Sequence, residues 1–259
     1  MTIDRDEQLQ ALQRIGRIVA DCLEHMLRSI EDGMTTKELD DIGRAFLDSH
    51  GARSAPEVTY QFPGATCISL GEEAAHGIPS AERVIAPGSL INVDVSAELD
   101  GYFADTGASY LYECDDARLG RLCKATQRAL DAAIKGVKAG APLNRIGKAI
   151  EREARHSNFS VIRNLCSHGV GAALHEEPGA IPSYFDRFDR RTIHDGLVFT
   201  IEPFLSTGTR EVTQLDDGWT LVNRPGHFSA QYEHTMVATP RGALVVTMPS
   251  SGLPFRAAG

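Results

Sequence analysis

The sequence predicts an α+β fold, and three observations carry that prediction. Apolar residues at helical spacing dominate residues 9–48 and again 116–156. After each of these stretches, short β-branched runs alternate with Gly, Pro and Asp turns. The order helix, helix, strands thus occurs twice, which suggests one domain, 1–259, built from two similar halves at roughly 1–112 and 113–250. A chain of 259 residues is long enough to bury a sizeable core.

In the first half, Leu9, Leu12, Ile15, Val19, Cys22, Leu23, Met26, Leu27 and Ile30 form one apolar helical face, which Asp32-Gly33 terminates. Thr35 and Glu38 have the spacing of a capping box and open a second helix to about Asp48, ending near Gly51. Strands are expected in TCISL (66–70), RVI (83–85), LINVDVSA (90–97) and YFADTGASYLY (102–112). In the second half, a helix from about Asp116 to Lys138 and a shorter one within 143–156 precede strands in VFTIEPFL (198–205), GWTLV (218–222) and YEHTMVAT (232–239).

Composition narrows the function. The chain carries 26 Lys and Arg against 35 Asp and Glu, a formal charge of −9, which argues against direct nucleic-acid binding. No apolar run approaches the roughly 18 residues of a membrane helix. The opening MTIDRDEQLQALQ lacks the apolar segment of a secretory signal. Five cysteines without a CxxC pair speak against a disulfide framework and suit a reducing, cytoplasmic setting.

Four segments carry chemistry. Asp100-Gly101 is a two-residue hairpin signal, and a turn there sets Ser96 opposite Asp105. Because Ser96 shares a strand face with Asp94, the two aspartates become diagonal neighbours that call for a cation or a shared proton; as an exposed pair they would be solvated acids. In NLCSHGVGAALHEEPG (164–179), His168 sits in an expected Gly-flanked turn and His175 follows seven residues later. Either could bind metal, move a proton or brace the turn, as could His76 in HGIP. Glu202 and Glu233 each interrupt an apolar β-prone run, a costly placement unless the carboxylate is paired, metal-bound or at a sheet edge. Oxygen donors with one imidazole suit hard or borderline divalent ions.

HGIP, INVDV…DG…ADT, SHGVG…HEEP, FTIEPF and DGWT…SAQYEHT occur in an order that resembles the type I methionine aminopeptidases of the "pita-bread" metallopeptidase family. The resemblance runs from the first helix to about Val246. It implies two α/β halves related by a pseudo-twofold around a curved, mainly antiparallel sheet. It implies two divalent ions (Co, Mn, Fe, Zn or Ni) on Asp94, Asp105, His168, Glu202 and Glu233, with Glu202 also the general base. His76 and His175 would contact substrate without binding metal, and Phe62, Cys67 and Trp219 would line a methionine pocket. The implied activity is removal of N-terminal methionine from peptides and nascent proteins by a cytoplasmic monomer in transient contact with the ribosome. A proline-directed aminopeptidase and an inactive binding paralogue share the fold. Three residues depart from the family pattern: Thr59 where a pocket tyrosine is common, Leu174 before His175 where a bulkier aromatic is usual, and Phe204 where methionine is frequent.

Overall fold

A computed structural model describes residues 1–252; the last seven residues of the expected 1–259 domain lie outside the described residues. Helix α1 (Asp6–Arg28) and helix α2 (Thr36–Ser49) come first. Strand β1 (Arg53–Ser54), the six-residue α3 (Ala55–Tyr60), β2 (Cys67–Leu70) and β3 (Glu73–Ala75) follow. Next is a long hairpin of β4 (Ser89–Leu99) and β5 (Tyr102–Tyr112). Helices α4 (Ala117–Lys135) and α5 (Arg145–His156) lead to β6 (Ser160–Val161), β7 (Cys166–Gly169) and β8 (Glu176–Pro182). The remaining strands are β9 (Val198–Ile201), β10 (Phe204–Ser206), β11 (Thr213–Gln214), β12 (Leu221–Val222), β13 (Ser229–Gln231), β14 (His234–Thr239) and β15 (Gly242–Val245).

The architecture is α+β, and every pairing among the described strands is antiparallel. One sheet has the order β1-β4-β2 with β5 on β4, and another runs β15-β14-β9-β7-β8. An antiparallel bridge between Ala108 and Tyr232 links the hairpin to the turn between β13 and β14. The apolar face of α1 (Leu12, Ile15, Val19, Leu23, Met26) is buried against β4 and β5. Thr35 caps α2 as its spacing predicts: its hydroxyl accepts from Glu38 N at 3.1 Å, and its own N–H donates to Glu38 Oε2 at 2.8 Å.

Three expectations need correction, and one element is new. RVI is not a strand: Val84 forms a lone bridge to Thr35, because Arg83 O and the Ile85 backbone pair with the irregular lead-in to α2. His168 lies in strand β7 and not in a turn, the adjacent Gly169 pairing with Glu176 and Phe199 in the sheet. Helix α4 ends at Lys135, with Gly136 as its C-cap, three residues before the expected Lys138. Helix α3 was not expected at all; Ser54 caps it and Pro56 sits in its first turn, where a missing N–H costs nothing.

Candidate active site

The β4–β5 hairpin supplies two carboxylates. Asp100 and Gly101 both have left-handed backbone (φ +54° and +83°), the geometry of a tight two-residue turn. The ladder therefore pairs Ser96 with Asp105 and Asp94 with Gly107, setting Asp94 and Asp105 as diagonal neighbours on one face. Glu202 and Glu233 occupy breaks between strands, β9/β10 and β13/β14, where Pro203 and the bridge at Tyr232 interrupt the ladders. Strand β7 brings His168 to the same place. Its Nε2 lies 3.4 Å from Glu202 Oε1 and 3.7 Å from Asp105 Oδ2.

Neighbouring strands hold each group. Thr200 Oγ1 accepts from His168 N and donates to Glu202 Oε1, both at 3.2 Å, while Ser167 Oγ accepts from Glu202 N. Gln231 Nε2 donates to Glu233 Oε2 at 3.0 Å, and Asn92 Nδ2 fixes that amide by donating to Gln231 Oε1 at 2.8 Å. Asp105 N donates to Thr235 Oγ1 and Glu233 N to Gly107 O, so the hairpin and the 231–235 segment lock together.

The electrostatics of this cluster call for a cation or for shared protons. Burial, then mutual repulsion, pushes the Asp94, Glu202 and Glu233 carboxyls well above the usual carboxylate range, and burial pushes Asp105 up to about 6. Burial holds the His168 imidazole neutral, its pKa pushed down to about 3. Its Nδ1 is 3.0 Å from Gly169 O, which can only accept, so Nδ1 carries the proton and the Nε2 lone pair faces the carboxylates. Asp105 Oδ1 and Glu233 Oε1 are buried without a hydrogen-bond partner among the described residues. One ligand atom each from Asp105, His168 and Glu233 lie within 4.8 Å of one another. Orphaned carboxylate oxygens and a converging imidazole lone pair are satisfied together by divalent metal, so the residues present fit such ions.

A cavity of ≈ 410 Å³ opens onto this cluster. Phe62, Cys67 and Trp219 all line it, and the Phe62 and Trp219 rings pack edge to face with centroids 5.2 Å apart. Cys67 pairs with Asp94 across β2 and β4; burial and the nearby carboxylates push its thiol far up, leaving it a neutral, polarizable wall. Leu174 and Phe204 also face the cavity. Thr59 does not: it is exposed, and the wall's tyrosine is its neighbour Tyr60, at the last turn of α3.

His76 and His175 stand at the open side of the cavity. His76 has left-handed backbone (φ +54°), and the turn behind it is tightly held. A Cβ on Gly77 would lie 2.3 Å from Ile68 O, Gly77 N donates to Ser69 Oγ, and Arg83 donates to Ile78 O while pairing with Glu73. The His175 ring lies against His168 at a 43° tilt with centroids 4.1 Å apart, and its Nδ1 is 2.7 Å from Tyr60 Oη. Desolvation, and for His175 also the nearby His76, keeps both imidazoles below their ordinary pKa.

Sequence reasoning missed Tyr60, Asn164, Leu165 and Cys166 in the cavity wall and Thr200, Gln231 and Asn92 behind the carboxylates. A signal existed for Thr200 and Gln231, each placed two residues before a glutamate.

A sequence profile of metallopeptidase family M24 matches residues 10–240. Methionine aminopeptidase 2 of Bacillus subtilis is 44% identical over 95% of this chain and 99% of its own length. A methionine aminopeptidase of Staphylococcus epidermidis is 43% identical over 95% and 98%. Among solved structures, methionine aminopeptidase from Thermotoga maritima superposes with a TM-score of 0.91 at 31% identity, covering 95% of this chain and 99% of that one. A prolidase from Pyrococcus horikoshii, at 18% identity and a TM-score of 0.75 over 96% of this chain and 64% of that one, shares the fold alone. The α+β architecture is thus the pita-bread fold. With the family profile spanning most of its length and relatives above 40% identity over nearly all of it, the chain belongs to metallopeptidase family M24.

Proposed function

We propose that the protein removes the N-terminal methionine from peptides and nascent proteins by hydrolysing the first peptide bond. One observation carries this reading: four carboxylates and an imidazole meet beneath a cavity whose walls are Phe62, Cys67, Leu174, Phe204 and Trp219. An apolar, partly aromatic and sulfur-bearing wall suits a thioether side chain.

Asp94, Asp105, His168, Glu202 and Glu233 would hold two divalent ions, drawn from Co, Mn, Fe, Zn or Ni. When bound, such ions polarise the scissile carbonyl and lower the pKa of water. The chain's own residues do the rest. Thr200 engages Glu202 at Oε1, which leaves Oε2 to take the proton of the attacking water and return it to the leaving amine. Neutral His175 donates a hydrogen bond to the carbonyl oxygen as it gains charge, and neutral His76 donates to the scissile amide region. The Phe62–Trp219 pair orients the methionine side chain.

The same reading takes residues 1–259 as one catalytic domain acting as a cytoplasmic monomer on chains emerging from the ribosome. Among the described residues no helix is long and apolar enough to cross a membrane. The decisive experiment compares hydrolysis of Met-Ala-Ser and Ala-Pro peptides by the metal-reconstituted protein. Release of methionine is expected to dominate; faster cleavage before proline overturns the reading.

A further inference from the structure

The phenol of Tyr60 bridges two walls of the cavity. It sits on the last turn of α3, while His175 belongs to the irregular segment between β7 and β8, and Tyr60 Oη lies 2.7 Å from His175 Nδ1. The two rings touch at a tilt, centroids 5.6 Å apart and planes at 48°. No other hydrogen bond to the His175 ring exists among the described residues, so Tyr60 alone of their polar groups fixes its rotation. The exposed Thr59 lies outside the cavity wall, and it is the next residue, Tyr60, that faces the histidine.

From this geometry we propose that Tyr60 is a positioning residue that holds His175 as its Nε2–H tautomer, with that N–H free for substrate. A phenol is a stronger acid than a neutral imidazole N–H, so in an O···N contact of 2.7 Å the hydroxyl donates and the ring nitrogen accepts. Nδ1 then has no proton, and the single ring proton resides on Nε2, which has no protein partner among the described residues. Without the phenol, both tautomers are accessible and the ring turns about χ2, so the donor faces the carbonyl oxygen only part of the time. The inference rests on the role proposed above for His175, but the tautomer itself does not depend on that role.

Tyr60→Phe removes only the hydroxyl from a residue that is 43% exposed. With ¹⁵N-histidine labelling of the zinc-loaded protein, two-bond ¹H–¹⁵N correlations report the tautomer, and His175→Gln identifies the resonance. The wild-type ring is expected to show the Nε2–H pattern, and Tyr60→Phe a mixture of the two tautomers. In the same preparations, kcat on Met-Ala-Ser is expected to fall about tenfold, with KM, bound zinc and Tm unchanged. An Nδ1–H pattern in the wild type overturns the proposal, as does an unchanged spectrum in Tyr60→Phe. A wild-type protein that shows the tautomer and its loss in the variant, yet cleaves no methionyl peptide, supports the positioning and refutes the proposed function instead.

Discussion

His168 Nε2 lies 3.7 Å from Asp105 Oδ2, with the lone pair of the imidazole turned toward the carboxylate and its proton on the far side, at Nδ1. That contact is repulsive as it stands. A cation between the two groups reverses its sign, and the same holds for the orphaned oxygens of Asp105 and Glu233.

Removing metal is therefore expected to abolish turnover and also to loosen the fold. A ligand present at about 100 times its Kd stabilises by about 2.7 kcal/mol, so chelation should lower Tm, and added metal should restore Tm and activity together. Calorimetry with metal analysis on each preparation checks this; full activity at nil metal content contradicts it.

Asp105→Asn is expected to lose metal and turnover together, with kcat/KM down by on the order of 100-fold or more, because the site loses a charge and a ligand oxygen at once. Metal stoichiometry beside kinetics is the check. A variant that keeps two ions and a normal rate removes Asp105 from the ligand set.

His175→Ala is expected to keep its metal and lose about 100-fold in kcat, about 3 kcal/mol, the usual cost of one donor to a developing oxyanion. Should the residue serve only to brace its segment, Tm would drop instead and kcat would stay close to wild type.

Gly77→Ala places a methyl group 2.3 Å from Ile68 O, behind the strained turn that carries His76. Backbone cannot yield as a side chain can, so a loss of about 1–3 kcal/mol in stability is expected. A displaced His76 should also cut kcat by on the order of 10–100-fold in the folded fraction. Denaturant titration and kinetics at a temperature well below Tm separate the two effects.

Asp40 offers a pH test away from the metal cluster. Its Oδ1 accepts from Thr66 N and Oγ1, its Oδ2 has no hydrogen-bond partner among the described residues, and burial raises its pKa despite those bonds and Lys37 at 3.7 Å. A carboxyl raised on folding binds its proton more tightly in the native state. Its contribution is full below about pH 4, its unfolded value, and declines as pH rises through the raised one. The Tm of wild type minus that of Asp40→Asn should therefore shrink from pH 4 to pH 7, by about 2 °C or more. A difference that is flat or grows with pH contradicts the assignment.

How far the sequence reveals these features depends on whether each signal is local. The hairpin register was legible because Asp100-Gly101 permits few turns and a two-residue turn leaves one pairing, so Ser96 opposite Asp105 followed. The cap of α2 was legible for the same reason. Helix α3 was not, since six residues are too few for an apolar period, and Tyr60 was lost with it. The glycines around His168 mimic a turn, whereas β7 uses Gly169 where a Cβ would collide with Glu177 O at 2.5 Å. The meeting of β5, β7, β9 and β14 at one point has no local signal; only the order of motifs, through the family resemblance, pointed to it.

The hydrogen bonds between β5 and the 231–235 segment also bear on how the protein is made. Asp105, Thr106 and Gly107 take their partners from Thr235 and Glu233, which are synthesised more than a hundred residues later. During translation the hairpin leaves the ribosome with two acids and nothing yet to offset them. It reaches its final state only when a distant strand arrives, the kind of non-local closure that slows folding. A message broken before the codon for Glu233 therefore yields a chain that carries Asp94, Asp105, His168 and Glu202 without the clasp that buries them. Such a fragment is expected to be cleared by quality-control proteases, with no residual turnover.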